Sequence, residues 1–138
     1  MKQLMRSARA AAIMAVLVLL ACGTVRAEWL LLGVEEGIYS AYGDPDTISR
    51  VDGTVRMQGL YDFPNGDFTP DGRAVQSTRA MREYDCDARR VRLLGHVDHA
   101  GHMSAGAAVG IGVEPGRWES VTAASMDERF WDMACRAR

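Results

Sequence analysis

Three histidines, a nearby serine and two cysteines are the residues of this chain best suited to do chemistry. His96, His99 and His102 lie in "GHVDHAGH", with Asp98 among them. Imidazoles and a carboxylate suit zinc or copper. The spacing argues against one shared site. In a straight strand His96 and His99 face opposite sides, and His96 to His102 spans about 20 Å at roughly 3.3 Å per residue. Only a sharp turn at Ala100-Gly101 would gather two of them. A periplasmic metal-binding protein using His96, His99 and His102 is the alternative reading; the expected one has no metal and no cofactor. Ser104 follows in "HMSAG", without the G-x-S-x-G spacing or the strand-turn-helix setting of a nucleophile elbow. No catalytic residue is expected, and the chain reads as non-enzymatic.

Cys86 sits in "REYDCDARR", flanked by Asp85 and Asp87. A reactive thiol needs surroundings that lower its pKa, and two neighbouring carboxylates act in the opposite sense. Its role depends on where the chain lives. Residues 1–27 read as an export signal: Lys2, Arg6 and Arg9 precede an apolar run from Ala10 to Ala21. That run is short of the roughly 20 residues a membrane span needs, and it suits a signal peptide. Val25-Arg26-Ala27 places small residues for cleavage between Ala27 and Glu28. "LLAC" offers lipidation of Cys22 as the alternative. The expected organisation is therefore a signal peptide, 1–27, and one exported domain, 28–138, with no transmembrane segment.

Export decides the cysteines. Cys22 is removed or lipidated, which leaves Cys86 and Cys135 in an oxidising compartment, and such a pair reads as one disulfide. It would close a loop of about 50 residues, worth roughly 4 kcal/mol by loop entropy. Export also changes the charge. Four of the 16 basic residues lie in 1–27, leaving 12 arginines against 18 acids and a net charge near −6. Nucleic acid is a poor partner for such a surface. No lysine remains in the exported part, so Schiff-base chemistry is excluded there. Arg89, Arg90 and Arg92 read as a solvated face beside nearby acids rather than as a basic patch.

The elements that must position these residues are mostly strands. "EWLLLG" (28–33) is a short apolar run, and "GIYSAYGD" (37–44) is expected to end in a turn at Asp44-Pro45. "DTISR" (46–50) and "TVRMQGLYDF" (54–63) flank an Asp52-Gly53 hairpin signal. "PNGDFTPDGR" (64–73) reads as the longest loop. Strands are expected over 74–86, with Val75, Ser77 and Arg79 opposite Gln76, Thr78 and Ala80, and over 89–97. "GAAVGIG" (106–112) reads as a closely packed strand and "RWESV" (117–121) as a short last one. The tail is helical. Ser125 and Glu128 fit a capping box, and Phe130, Trp131, Ala134 and Cys135 make one apolar stripe.

The order of these pieces resembles the surface-adhesin protein E family of small exported bacterial proteins. The residues that carry the resemblance are Trp29, "YGDPDTISRVDGTVRM", "REYDC", the glycine-rich stretch and the terminal "FWDMAC". It covers essentially the whole exported part. In one departure, Met57-Gln58 stand where relatives often have a Trp. The resemblance implies an α+β fold: a mostly antiparallel sheet of five or six strands, with one C-terminal helix held by the Cys86–Cys135 bond. It implies a binding or adhesion module for a protein or cell-envelope partner, in the periplasm or at the outer-membrane or cell surface. The namesake is a surface lipoprotein that binds host matrix and serum proteins.

Overall fold

The computed structural model describes residues 26–113 and 115–136; Cys22 lies outside them. Seven strands and one α-helix follow in chain order: β1 (Leu30–Glu35), β2 (Tyr39–Val51), β3 (Thr54–Phe68), β4 (Ala74–Asp85), β5 (Arg90–His99), β6 (Ala108–Gly112), β7 (Glu119–Ser120) and α1 (Met126–Arg136). The sheet is an antiparallel meander in the order β1-β2-β3-β4-β5-β6, and β7 pairs with β5 further along. The expected α+β architecture is present.

Local chemistry explains where the strands turn. Asp52 and Gly53 both have positive φ, 48° and 83°, as a tight hairpin between β2 and β3 requires. Asp44-Pro45, expected as a turn, instead lies inside β2, where the register with β3 shifts between Asp44 and Ser49. The proline has no N–H to give the ladder, and side chains fill in. Thr47 Oγ1 donates to the Asp44 carbonyl at 2.7 Å and accepts from the Gln58 N–H at 2.9 Å. The first half of the expected loop over 64–73 is instead strand, because β3 runs on to Phe68. The true turn is shorter: Thr69 N–H donates to the Arg73 carbonyl at 2.8 Å, and Arg73 N–H donates to Thr69 Oγ1 at 2.9 Å.

The core lies between one face of the sheet and α1. Ala41, Val55, Met57 and Tyr84 come from the strands, and Phe130, Ala134 and Cys135 from the helix. Met57 is fully buried there. Three glycines on adjacent strands let the helix approach. A Cβ on Gly59 of β3 would lie 2.7 Å from the Phe130 ring, and one on Gly43 of β2 would lie 2.5 Å from Met133 Sδ. One on Gly33 of β1 would lie 2.9 Å from Met126 Cε. The side chains of α1 thus rest on backbone where a larger residue would lift them off.

The helix is tied at both ends. Ser125 caps it, accepting from the Glu128 N–H at 3.2 Å, while the Glu128 carboxylate accepts from the Ala124 N–H at 2.7 Å. Arg82 of β4 reaches up between the Tyr61 and Phe130 rings, 5.4 Å from each centroid, and pairs with Asp127 at 2.7 Å. At the other end Cys135 is bonded to Cys86, just after β4, with Cα atoms 5.7 Å apart.

Candidate binding surfaces

The three histidines separate, as their spacing implies. The register pairs Ala80 with His96 and Ser77 with His99, so the two rings leave β5 on opposite faces. His96 approaches Asp98 at 3.7 Å. His102 belongs to a strap, residues 100–106, folded back over the sheet, and His99 ends β5 just before it. His102 Nδ1 lies 3.1 Å from Asp62 Oδ2, and the Met103 N–H donates to the other Asp62 oxygen at 2.7 Å. The Ser77 hydroxyl donates to the Gly101 carbonyl at 2.6 Å and accepts from the Ser104 N–H at 2.8 Å. Ser104 Oγ meets His99 Nε2 at 3.3 Å. Asp62 and Ser77 are cross-strand partners, so they hold the strap from adjacent positions. Among the described residues no three His, Cys, Asp or Glu side chains are grouped to hold a metal ion.

The arginines near Cys86 are committed to structure. Arg90 pairs with Asp85 at 2.7 Å, Arg92 pairs with Glu83 at 2.7 Å, and Arg89 binds Glu128. Arg90 and Arg92 stack on Trp118, at 5.3 and 4.7 Å, and Arg89 on Trp131 at 4.9 Å. These contacts fasten the segment after β6 and the helix start to the sheet. Sequence spacing could not reveal the stacking, because Trp118 lies 26 residues beyond Arg92.

Two titratable groups show how the interior is wired. Burial pushes the Tyr61 hydroxyl up to about 12, against a smaller opposing pull from Arg82. Burial alone would raise the Glu83 carboxyl. Its hydrogen bond from Thr54, at 2.6 Å, and the charges of Arg92 and Arg56 outweigh burial and hold it below the usual carboxylate range.

Two surfaces remain without internal use. The first is β1, an edge strand that pairs with β2 alone among the described residues. Leu31, Val34 and, in the turn beyond it, Ile38 are each more than half exposed, and Leu30 is 42% exposed. The second is an open groove of about 250 Å³ on the sheet face away from α1. Met81, Gly95 and Val97 form its floor, Ile111 and Val113 one wall, and Gln58 and Arg79 the other end.

The sequence matches the surface-adhesin protein E family over residues 29–136, the whole of the described domain apart from its first few residues. The chain belongs to the surface-adhesin protein E family. Solved structures of protein E carry the same fold. Protein E of Haemophilus influenzae superposes with a TM-score of 0.62 at 16% identity, covering 81% of this chain and 86% of that one. Protein E from non-typeable Haemophilus influenzae gives 0.59 at 18% identity, covering 84% and 81%. No curated protein matches this chain by sequence. Among the described residues of this family member, no helix is long and apolar enough to cross a membrane.

Proposed function

We propose that this chain is an exported, non-enzymatic attachment protein that binds a polypeptide partner along edge strand β1. The family match over residues 29–136 carries the adhesin reading. The β1 edge supports the mode of binding. An edge strand offers a row of unpaired backbone groups to an incoming strand. Apolar side chains beside that row supply affinity and specificity, and natural edges that are not interfaces are normally blunted by charge or proline. Leu30–Glu35 has neither proline nor lysine, and its only charge is at its end.

Export proceeds through residues 1–27 with cleavage between Ala27 and Glu28. Both residues are exposed and precede β1, and the family match begins at Trp29. Cleavage there leaves β1 close to the new terminus, at the margin of the sheet. The mature domain faces the periplasm or is displayed at the outer surface.

The test displays the chain on a bacterial host and measures adherence to immobilised extracellular-matrix proteins and to envelope proteins. Saturable binding to a protein is expected, with a loss of at least ten-fold for Val34→Lys and no change for a charge added far from β1, such as Gln76→Lys. Binding unaffected by Leu31→Lys and Val34→Lys would remove β1 from the interface. Absence of any protein ligand in a cross-linking survey of intact cells would remove the attachment role itself.

A further inference from the structure

The groove on the far face of the sheet lies at the opposite edge from β1, and its chemistry is different. It crosses the strands instead of running along them, from Gln58 on β3, over Arg79 and Met81 on β4 and Gly95 and Val97 on β5, to Ile111 on β6. Three strand spacings make this roughly 14 Å. Its floor and outer wall are aliphatic. Ile111 and Val113 are 70% and 76% exposed, far more than isolated apolar residues beside an aliphatic floor would require.

One cation stands in this apolar setting. Arg79 is half-buried. Among the described residues no carboxylate lies within ion-pair distance of its guanidinium and none of its nitrogens makes a hydrogen bond, in contrast to Arg56, Arg73, Arg82, Arg89, Arg90 and Arg92, each of which has a carboxylate partner. The Gln58 side-chain amide, one strand away, is also without a hydrogen-bond partner among the described residues; only its backbone N–H is used. A guanidinium and an amide that have no partner among the described residues, beside an aliphatic trough, ask for an anion carried on an apolar chain. A carboxylate fits the guanidinium as a two-point acceptor.

We propose that this groove binds the free carboxylate of a medium-chain fatty acid, with the head group on Arg79 and Gln58 and the alkyl chain along Met81, Val97 and Ile111. An alkyl chain is preferred to a peptide on physical grounds. β3, β4 and β5 are interior strands whose backbone groups are spent in the ladders on either side. A peptide crossing them would lay its own N–H and C=O groups against aliphatic side chains, at a cost an alkyl chain does not have.

The experiment is titration calorimetry of the full chain, as recovered from the expressing cell, with octanoate, decanoate, dodecanoate and decanol below their micelle concentrations. Affinity is expected to rise about four-fold for each methylene that enters the groove. Arg79→Gln should weaken decanoate at least ten-fold and leave decanol unchanged, while Arg79→Lys keeps most of the affinity. Ile111→Asp, at an exposed edge position, should abolish decanoate binding without lowering the unfolding temperature. Decanol binding as tightly as decanoate would overturn carboxylate recognition. An affinity flat with chain length, or no saturable binding, would overturn the site. A short peptide ending in an apolar residue that displaces decanoate from Arg79 would overturn the choice of ligand. None of these outcomes depends on β1 or on adhesion.

Discussion

Removing the Cys86–Cys135 bond is expected to loosen α1 and lower the stability of the domain by about 2–5 kcal/mol. The bond closes a loop of sequence separation 49. Loop entropy alone then gives about 4 kcal/mol at 25 °C. What remains to hold α1 includes the burial of Phe130 and Ala134, both almost completely inaccessible, and the Arg82–Asp127 and Arg89–Glu128 pairs. Phe130 supplies roughly 1.5–3 kcal/mol by area, and an eleven-residue helix has little stability of its own. The helix should therefore stay docked at its Phe130 end and fray from its C-terminal end, where Cys135 is. The assay compares oxidised protein with Cys86→Ser/Cys135→Ser protein by circular dichroism during heating. A fall in midpoint of roughly 10–20 °C is expected for a domain of this size. Hydrogen exchange should show early opening confined to the last turn of α1. Maleimide should label neither cysteine in folded, unreduced protein. Ready labelling of Cys86 in the folded state, or a midpoint change below about 3 °C, would refute the reasoning, since either means the loop closure contributes nothing.

Gly59→Ala should destabilise by about 1–3 kcal/mol, although alanine is normally the better strand residue, because the new methyl would meet the Phe130 ring; urea unfolding reads this directly, and an unchanged midpoint would mean α1 does not rest there. The Glu83 carboxyl is held below its ordinary value of 4.5 in the folded state. Its contribution is therefore fully present above about pH 4.5 and is lost as the pH falls through the lower folded value. Glu83→Gln should be less stable at neutral pH by about 1–2 kcal/mol, discounted because its arginine partners are partly exposed, and the gap to wild type should narrow as the pH falls below the ordinary carboxylate value. A gap independent of pH would assign the loss to packing. The full chain expressed with its export signal should yield a mature terminus at Glu28 by mass spectrometry; a diacylglycerol adduct on Cys22 would overturn the cleavage site.

The sequence by itself determined the features that local chemistry governs. Asp52-Gly53 announced its hairpin because only residues tolerant of positive φ suit a tight β turn. Ser125 and Glu128 announced the helix start, and Phe130, Ala134 and Cys135 its buried stripe, because capping and the 3.6-residue period are properties of a short segment. Two cysteines in an exported chain left one pairing, and the spacing of His96, His99 and His102 already set two of the rings on opposite faces. Tertiary structure decided what depends on neighbours far along the chain. Pro45 stays inside a strand because Thr47 takes over part of its ladder, and the lost N–H is tolerated at a register shift. The first half of the 64–73 segment became strand, with Asp67 and Phe68 pairing with β4. Gly33, Gly43 and Gly59 became the seat of a helix that begins 67 residues after the last of them. Arg89, Arg90 and Arg92 were matched to carboxylates and tryptophans from β4, the segment after β6 and α1. Among the described residues Arg79 was left without a carboxylate, and it shares an aliphatic groove with residues of four strands. Hydrophobic period and turn chemistry are written within a few residues of where they act, whereas the pairing of charges and the shape of a groove exist only once the sheet has brought distant strands together.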